Sequence, residues 1–141
     1  MPYEFTDVYT TADVGMVVTG RDLNELFTDA ALGLTEIIAD LDGLENNREI
    51  VIELEADNLD DLFFIWLSEI IYHKDADGFL VKKGEVDFDS GERIKLRARL
   101  WGDTVDPSRH VLKTDVKAVT LYRLKVQQIN DHWRGEVVFD L

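Results

Sequence analysis

Between residues 93 and 101 the chain alternates without a break, with Ile94, Leu96, Ala98 and Leu100 on one side and Arg93, Lys95, Arg97 and Arg99 on the other. Such a run fits a β-strand with one face in a core and one in water, because successive strand side chains point to opposite faces. A strand needs neighbours, and the sequence offers them. Residues 49–55 alternate in the same way, with Ile50, Ile52 and Leu54 together. Residues 78–89 read as a strand that turns through Ser90-Gly91 into the alternating run, a hairpin signal. Asn130-Asp131 separates a strand-like run at 115–129 from a last one at 133–141, a second hairpin. A short strand at 14–19 stops at Gly20.

Two segments have helical period instead. Leu23, Leu26, Phe27, Ala30, Ala31, Leu34, Ile37, Ile38 and Leu41 recur at helical spacing over residues 21–40, with Gly43 as a stop signal. Leu59, Leu62, Phe63, Trp66, Leu67, Ile70 and Ile71 form a second stripe. Asp57 or Asn58 can cap its start, and Asp60 and Asp61 suit the positive end of the helix dipole. The order is strand, helix, strand, helix, then several strands. Late strands joined by tight turns pair antiparallel, so the expected class is α+β: mostly antiparallel sheet with two helices packed on one face. The longest loop is expected at 102–110, around Asp106-Pro107. At 141 residues the chain is expected to form a single domain over 1–141.

Charge narrows the function. The 29 acidic and 15 basic residues give a net charge of −14, which disfavours binding to phosphate backbones or anionic lipid. The imbalance is uneven: 23 acidic and 5 basic residues up to position 92, against 6 and 10 beyond it. The alternating bases read either as the solvated face of a sheet or as a basic face for an anionic partner. Cysteine is absent, which excludes disulfides, thiolate metal sites and Cys nucleophiles and fits a reducing cytoplasm. No apolar run approaches the ~18 residues of a membrane span, and Met1-Pro2-Tyr3-Glu4 does not open a signal peptide.

Familiar catalytic signatures are missing. There is no G-x-S-x-G, Walker A loop, G-x-G-x-x-G or H-E-x-x-H. His73, His110 and His132 lie far apart in the sequence and read as exposed polar residues rather than bases or ligands. Asp75-Ala76-Asp77-Gly78 and Asp87-Phe88-Asp89-Ser90-Gly91 lack the glycine and carboxylate positions of an EF-hand and read as turns. The two ends of the chain hold more. Asp13 stands at the entry to a strand beside Gly15, and Asp140 lies on the face of the last strand opposite Trp133, Val137 and Phe139, next to the carboxylate at Leu141. If Asp13 lies near Asp140, three carboxylates converge, and a hard cation such as Ca²⁺ or Mg²⁺ held by oxygens would relieve their repulsion. The other reading is two unrelated surface aspartates. Lys113, Asp115 and Lys117 would point the same way on a charged strand.

Taken together, several stretches resemble the archease family. They are Met1-Pro2-Tyr3-Glu4-Phe5, Thr11-Ala12-Asp13-Val14-Gly15, Leu26-Phe27 with Ala30-Ala31-Leu32, and Glu55-Ala56-Asp57 leading to Leu67-Ser68-Glu69. Further along come Asp106-Pro107 with Arg109-His110, the run Lys113-Thr114-Asp115-Val116-Lys117-Ala118-Val119-Thr120, and the closing Phe139-Asp140-Leu141. They span almost the whole chain in the family's order. One departure stands out. The family usually reads Asp-His-Thr-Ala-Asp-Val-Gly, whereas here Asp7-Val8-Tyr9-Thr10-Thr11-Ala12-Asp13 has Thr10 at the histidine's place and two extra residues.

The resemblance implies a strand-helix-strand-strand module and a role without catalysis of its own. That role is activation of the RtcB-type RNA ligase of tRNA splicing, by promoting its guanylylation and its return to an active state between turnovers. It implies that Asp13, Asp140 and Leu141 bind a divalent cation, Ca²⁺, Mg²⁺ or Mn²⁺, and that Lys117, with Lys113 nearby in sequence, contacts the partner or a phosphate. RNA contacts would then belong to the ligase. Two other classes predict different behaviour: a chaperone or adaptor acting through its sheet face on other nucleic-acid-processing enzymes would bind them even without Asp13 and Asp140, and a metal-dependent phosphohydrolase would turn over phosphate esters with no partner.

Overall fold

In the computed structural model, which describes residues 2–6 and 12–141, the alternating run becomes β5 (Ile94–Thr104), the centre of a three-stranded antiparallel sheet. Its neighbours are β3 (Arg48–Ala56) and β4 (Phe79–Ser90). The inward face of β5 is apolar. Its outward face resolves the question of the alternating bases: Arg93 pairs with Glu55 and Asp57, Arg97 with Glu53, and Arg99 with Glu49. On the other side Glu85, Asp87 and Asp89 stand in register with Arg99, Arg97 and Lys95. The bases are thus a solvated ladder neutralised by flanking acids.

A second antiparallel sheet has β8 (His132–Asp140) at its heart. On one side β8 pairs with β2 (Asp13–Gly20), which pairs in turn with β1 (Tyr3–Phe5), a short strand that the sequence periodicity did not reveal. On its other side β8 pairs with β6 (Ala118–Val119) and β7 (Lys125–Ile129). The run at 115–129, read as one strand, is therefore two. Between them the chain turns at residues 121–124, with Arg123 at φ 58°. Residues 113–117 form no strand, and the longest irregular stretch runs over 105–117, because β5 continues to Thr104.

The helices are α1 (Leu23–Ile38) and α2 (Leu59–Asp77). Asp22 caps α1 through the Glu25 amide, and Asn58, of the two candidates, caps α2 through the Asp61 amide. Helix α2 ends on Gly78 in the left-handed conformation, which closes its last turn onto His73 and Lys74. Helix α1 stops earlier than Gly43 suggested, at an extended Ala39, and Gly43 sits in a short 3₁₀ turn. Each helix touches strands of both sheets, so their apolar stripes fill the core between the layers. Phe27, Phe63 and Trp66 meet there, and the Trp66 indole donates to the Phe27 carbonyl at 2.9 Å. The architecture is α+β, as the element order implied.

Candidate functional site

The pairing of β2 with β8 decides where the two aspartates stand. Asp13 and Asp140 are direct partners in the register. The Leu141 amide donates to the Ala12 carbonyl at 2.6 Å, which makes Ala12 and Leu141 a hydrogen-bonded pair. Asp13 and Asp140 are therefore a non-hydrogen-bonded pair, the kind whose side chains lie closer, with Cβ atoms typically about 4.5–5.5 Å apart. Both carboxylates share one face of the sheet, and Leu141 follows on the same edge. The two aspartates, far apart in sequence, are thus neighbours across the sheet.

The third strand at this edge brings a base. Ala118 is paired with Asp140, and the Lys117 amide donates to the Asp140 carbonyl at 2.8 Å. Lys117 is thus anchored beside the carboxylate pair, with its side chain exposed. Lys113 is placed elsewhere. Its amide bonds to the Ile38 carbonyl at 2.8 Å, at the end of α1, so the two lysines do not share a strand face as the spacing had suggested. The donor set at the edge is all oxygen, which suits a hard cation and not a thiophilic one. Among the described residues no three His, Cys, Asp or Glu side chains are grouped around one point, so a cation here would need an oxygen of Leu141 besides the two aspartates. Thr10 and Thr11, with the two-residue insertion, lie outside the described residues.

A second constellation was not legible as such. Asp103, 1% exposed, sits at the end of β5 and accepts from Arg109 Nη2 at 3.0 Å, His110 Nε2 at 3.0 Å, Asn47 Nδ2 at 3.1 Å and the Glu45 amide at 3.1 Å. Burial pushes its carboxyl up, but the bonds from Arg109, the Glu45 amide, His110 and Asn47 outweigh this and hold it well below the usual carboxylate range. His110 is buried, contrary to the expectation of an exposed polar residue. The Asp106 amide donates to its Nδ1 at 2.9 Å, which leaves Nε2 to donate to Asp103. With both nitrogens engaged it is a structural tie rather than a base. The available signal was an aspartate followed, across an Asp-Pro turn, by Arg-His. His73 and His132 are partly exposed and bind neighbouring carboxylates.

Known proteins share this sequence and fold. Residues 3–141 match the model of the Archease protein family. The "Protein archease" of Methanopyrus kandleri is 37% identical over 142 residues, covering 100% of both chains. That of Archaeoglobus fulgidus is 32% identical over 141 residues, again covering 100% of both. The solution structure of a Methanobacterium thermoautotrophicum protein superposes with a TM-score of 0.87 at 29% identity, over 99% of each chain. A crystal structure from Thermotoga maritima, described as an archease and possible chaperone, gives 0.63 at 22% identity over 96% of each chain, a likeness of fold.

Proposed function

The chain belongs to the archease family, and from that membership we propose that it is a non-enzymatic, cytoplasmic activator of the RtcB-type 3′-phosphate RNA ligase. In this reading it promotes the ligase's guanylylation and repeated turnover in tRNA splicing. The observation that carries the proposal is the direct opposition of Asp13 and Asp140 at one sheet edge, with Leu141 and Lys117 beside them.

Asp13, Asp140 and an oxygen of Leu141 would hold a divalent cation such as Ca²⁺, Mg²⁺ or Mn²⁺. When bound, such an ion supplies positive charge and coordination positions open to phosphate oxygens. The chain's own residues do the rest. The paired carboxylates fix the point of binding on a rigid sheet, and Lys117 offers an ammonium to an anionic group of the ligase or its nucleotide. The net charge of −14 leaves RNA contact to the ligase.

The test is the rate of ligase guanylylation with labelled GTP and Mn²⁺, with and without this chain. Acceleration by the wild type that is lost in Asp13→Asn and Asp140→Asn supports the proposal, and an unchanged rate with active ligase overturns it. A chaperone or adaptor role is the second reading, suggested by the description of the Thermotoga relative. It predicts binding to other nucleic-acid-processing enzymes that survives both substitutions.

A further inference from the structure

Seven large apolar side chains stand exposed among the described residues, and four of them fall within residues 111–122: Val111, Leu112, Leu121 and Tyr122. Leu121 is 73% exposed and Val111 63%. Isolated exposed apolar residues need no explanation, but a concentration of them on a fixed backbone does. This backbone is fixed. The Asp40 amide bonds to the Val111 carbonyl, Lys113 and Thr114 amides bond to the end of α1, and the Lys117 and Thr120 amides bond to β8. Beneath the stretch Val116 and Val119 are buried, and Lys74 Nζ holds the Val116 carbonyl at 2.9 Å.

Charge on the same stretch is unusual for this molecule. With 29 acidic residues available, almost every base has found a carboxylate, a carbonyl or a ring. Among the described residues, the lysines and arginines with no such contact are Lys95, Lys113 and Lys117, and Lys95 lies in register between Glu55 and Asp89. The other two, Lys113 and Lys117, both lie in 111–122, between the exposed apolar pairs, and the one acid of that stretch, Asp115, is held by Lys74 at 2.6 Å.

We propose that residues 111–122 are a docking strip for a protein surface that carries an apolar pocket rimmed by carboxylates. The inference rests on the activator reading above and places that surface on the ligase. Val111, Leu112, Leu121 and Tyr122 supply the apolar anchors, and Lys113 and Lys117 meet the acidic rim. A strip already held by backbone bonds loses little freedom on binding, which favours it as an anchor. The paired charges set orientation and make association salt-dependent.

The experiment is fluorescence anisotropy of the labelled full chain with the intact ligase, beside its stimulation of ligation. Two double variants are compared with the wild type: Val111→Ser with Leu112→Ser, and Leu121→Ser with Tyr122→Ser. The expected result is a Kd weakened about tenfold or more by each, as for buried interface anchors. The wild-type Kd should also weaken with added salt, and less so in Lys113→Ala with Lys117→Ala. If a double variant melts below the wild type, Leu121→Ser alone carries the test. Double variants that bind like a wild type which does stimulate the ligase overturn the strip and leave the activator reading intact. A wild type that neither binds nor stimulates an active ligase overturns both. Binding of naked RNA by the wild type that is lost in the double variants contradicts the protein occupant.

Discussion

Asp13 and Asp140 face each other across the β2–β8 pair as a non-hydrogen-bonded couple, so two like charges are held where an antiparallel sheet brings side chains closest. Directly opposed like charges weaken a sheet by about 0.2–1 kcal/mol. The same strand β8 carries β6 on its other side, which sets Lys117 next to the pair. Two carboxylates and a lysine therefore meet at one end of the β2–β8–β6 strands.

The opposition of the two carboxylates has a measurable sign. In the presence of a chelator, Asp140→Asn should be more stable than the wild type by up to about 1 kcal/mol. On the proposed cation site, added Ca²⁺ or Mn²⁺ should then raise the melting temperature of the wild type and leave the variant's unchanged, because only the folded wild type would bind. Thermal melts in both conditions check this. A variant that is less stable in chelator, or that gains equally from the cation, would contradict the site.

The Asp103 cluster predicts a structural effect. Asp103→Ala should cost about 3 kcal/mol, since it strands the buried His110 Nε2 and leaves Arg109 with Asp106 alone. The native carboxyl lies below its ordinary value, so the folded state binds its proton less readily than the unfolded chain. The stabilisation is complete above the ordinary carboxylate range and declines as pH falls through it toward the native value. Urea melts between neutral pH and about pH 3 should show this decline in the wild type and a flatter profile in Asp103→Ala.

How much of this was legible depends on what fixed each feature. The β5 alternation, the two helical stripes and the Asn130-Asp131 turn are local patterns, and each led to the right element. The partition of 115–129 was not local: Thr120 and Val119 are held by β8, and the break at Arg123 depends on its left-handed backbone and its bond to Glu136. The three residues of β1 are too few to show a period. Asp13 and Asp140 could be suspected from their strand positions, but their opposition required the register of two strands at opposite ends of the chain. The burial of His110 required the loop over the end of β5, which no spacing encodes.

Asp29 predicts the opposite pH behaviour. Burial and then the charge of Glu25 push its carboxyl up to about 6. The cap Asp22 and Glu25 of α1, with Glu85 and Asp87 from β4, line the same cleft, and Glu36 lies further along α1. The folded state therefore holds this proton more tightly than the unfolded chain, and stability falls as pH rises from about 4 to about 6. Asp29→Asn should stabilise the protein by about 1–2 kcal/mol at neutral pH and far less at pH 4. Chemical denaturation of both proteins across that range checks the sign.

Gly102 is irreplaceable for a steric reason. A Cβ at this position would lie 1.9 Å from the Leu80 carbonyl oxygen, a backbone atom that cannot swing aside. It sits beside the irregularity in β4 between Val81 and Lys83, where the two strands approach closely. Gly102→Ala should destabilise by about 3 kcal/mol or more, read by thermal or urea melts, while Gly91→Ala, whose Cβ meets nothing within 4 Å, should be nearly neutral.

The most direct measurement is multiple-turnover ligation of a 3′-phosphate RNA by the cognate ligase, with GTP and Mn²⁺, in the presence and absence of this chain. The wild type should increase the number of turnovers per ligase, and Asp140→Asn, folded and equally concentrated, should not. An active ligase whose turnover is the same with and without the wild-type chain would contradict the activator reading.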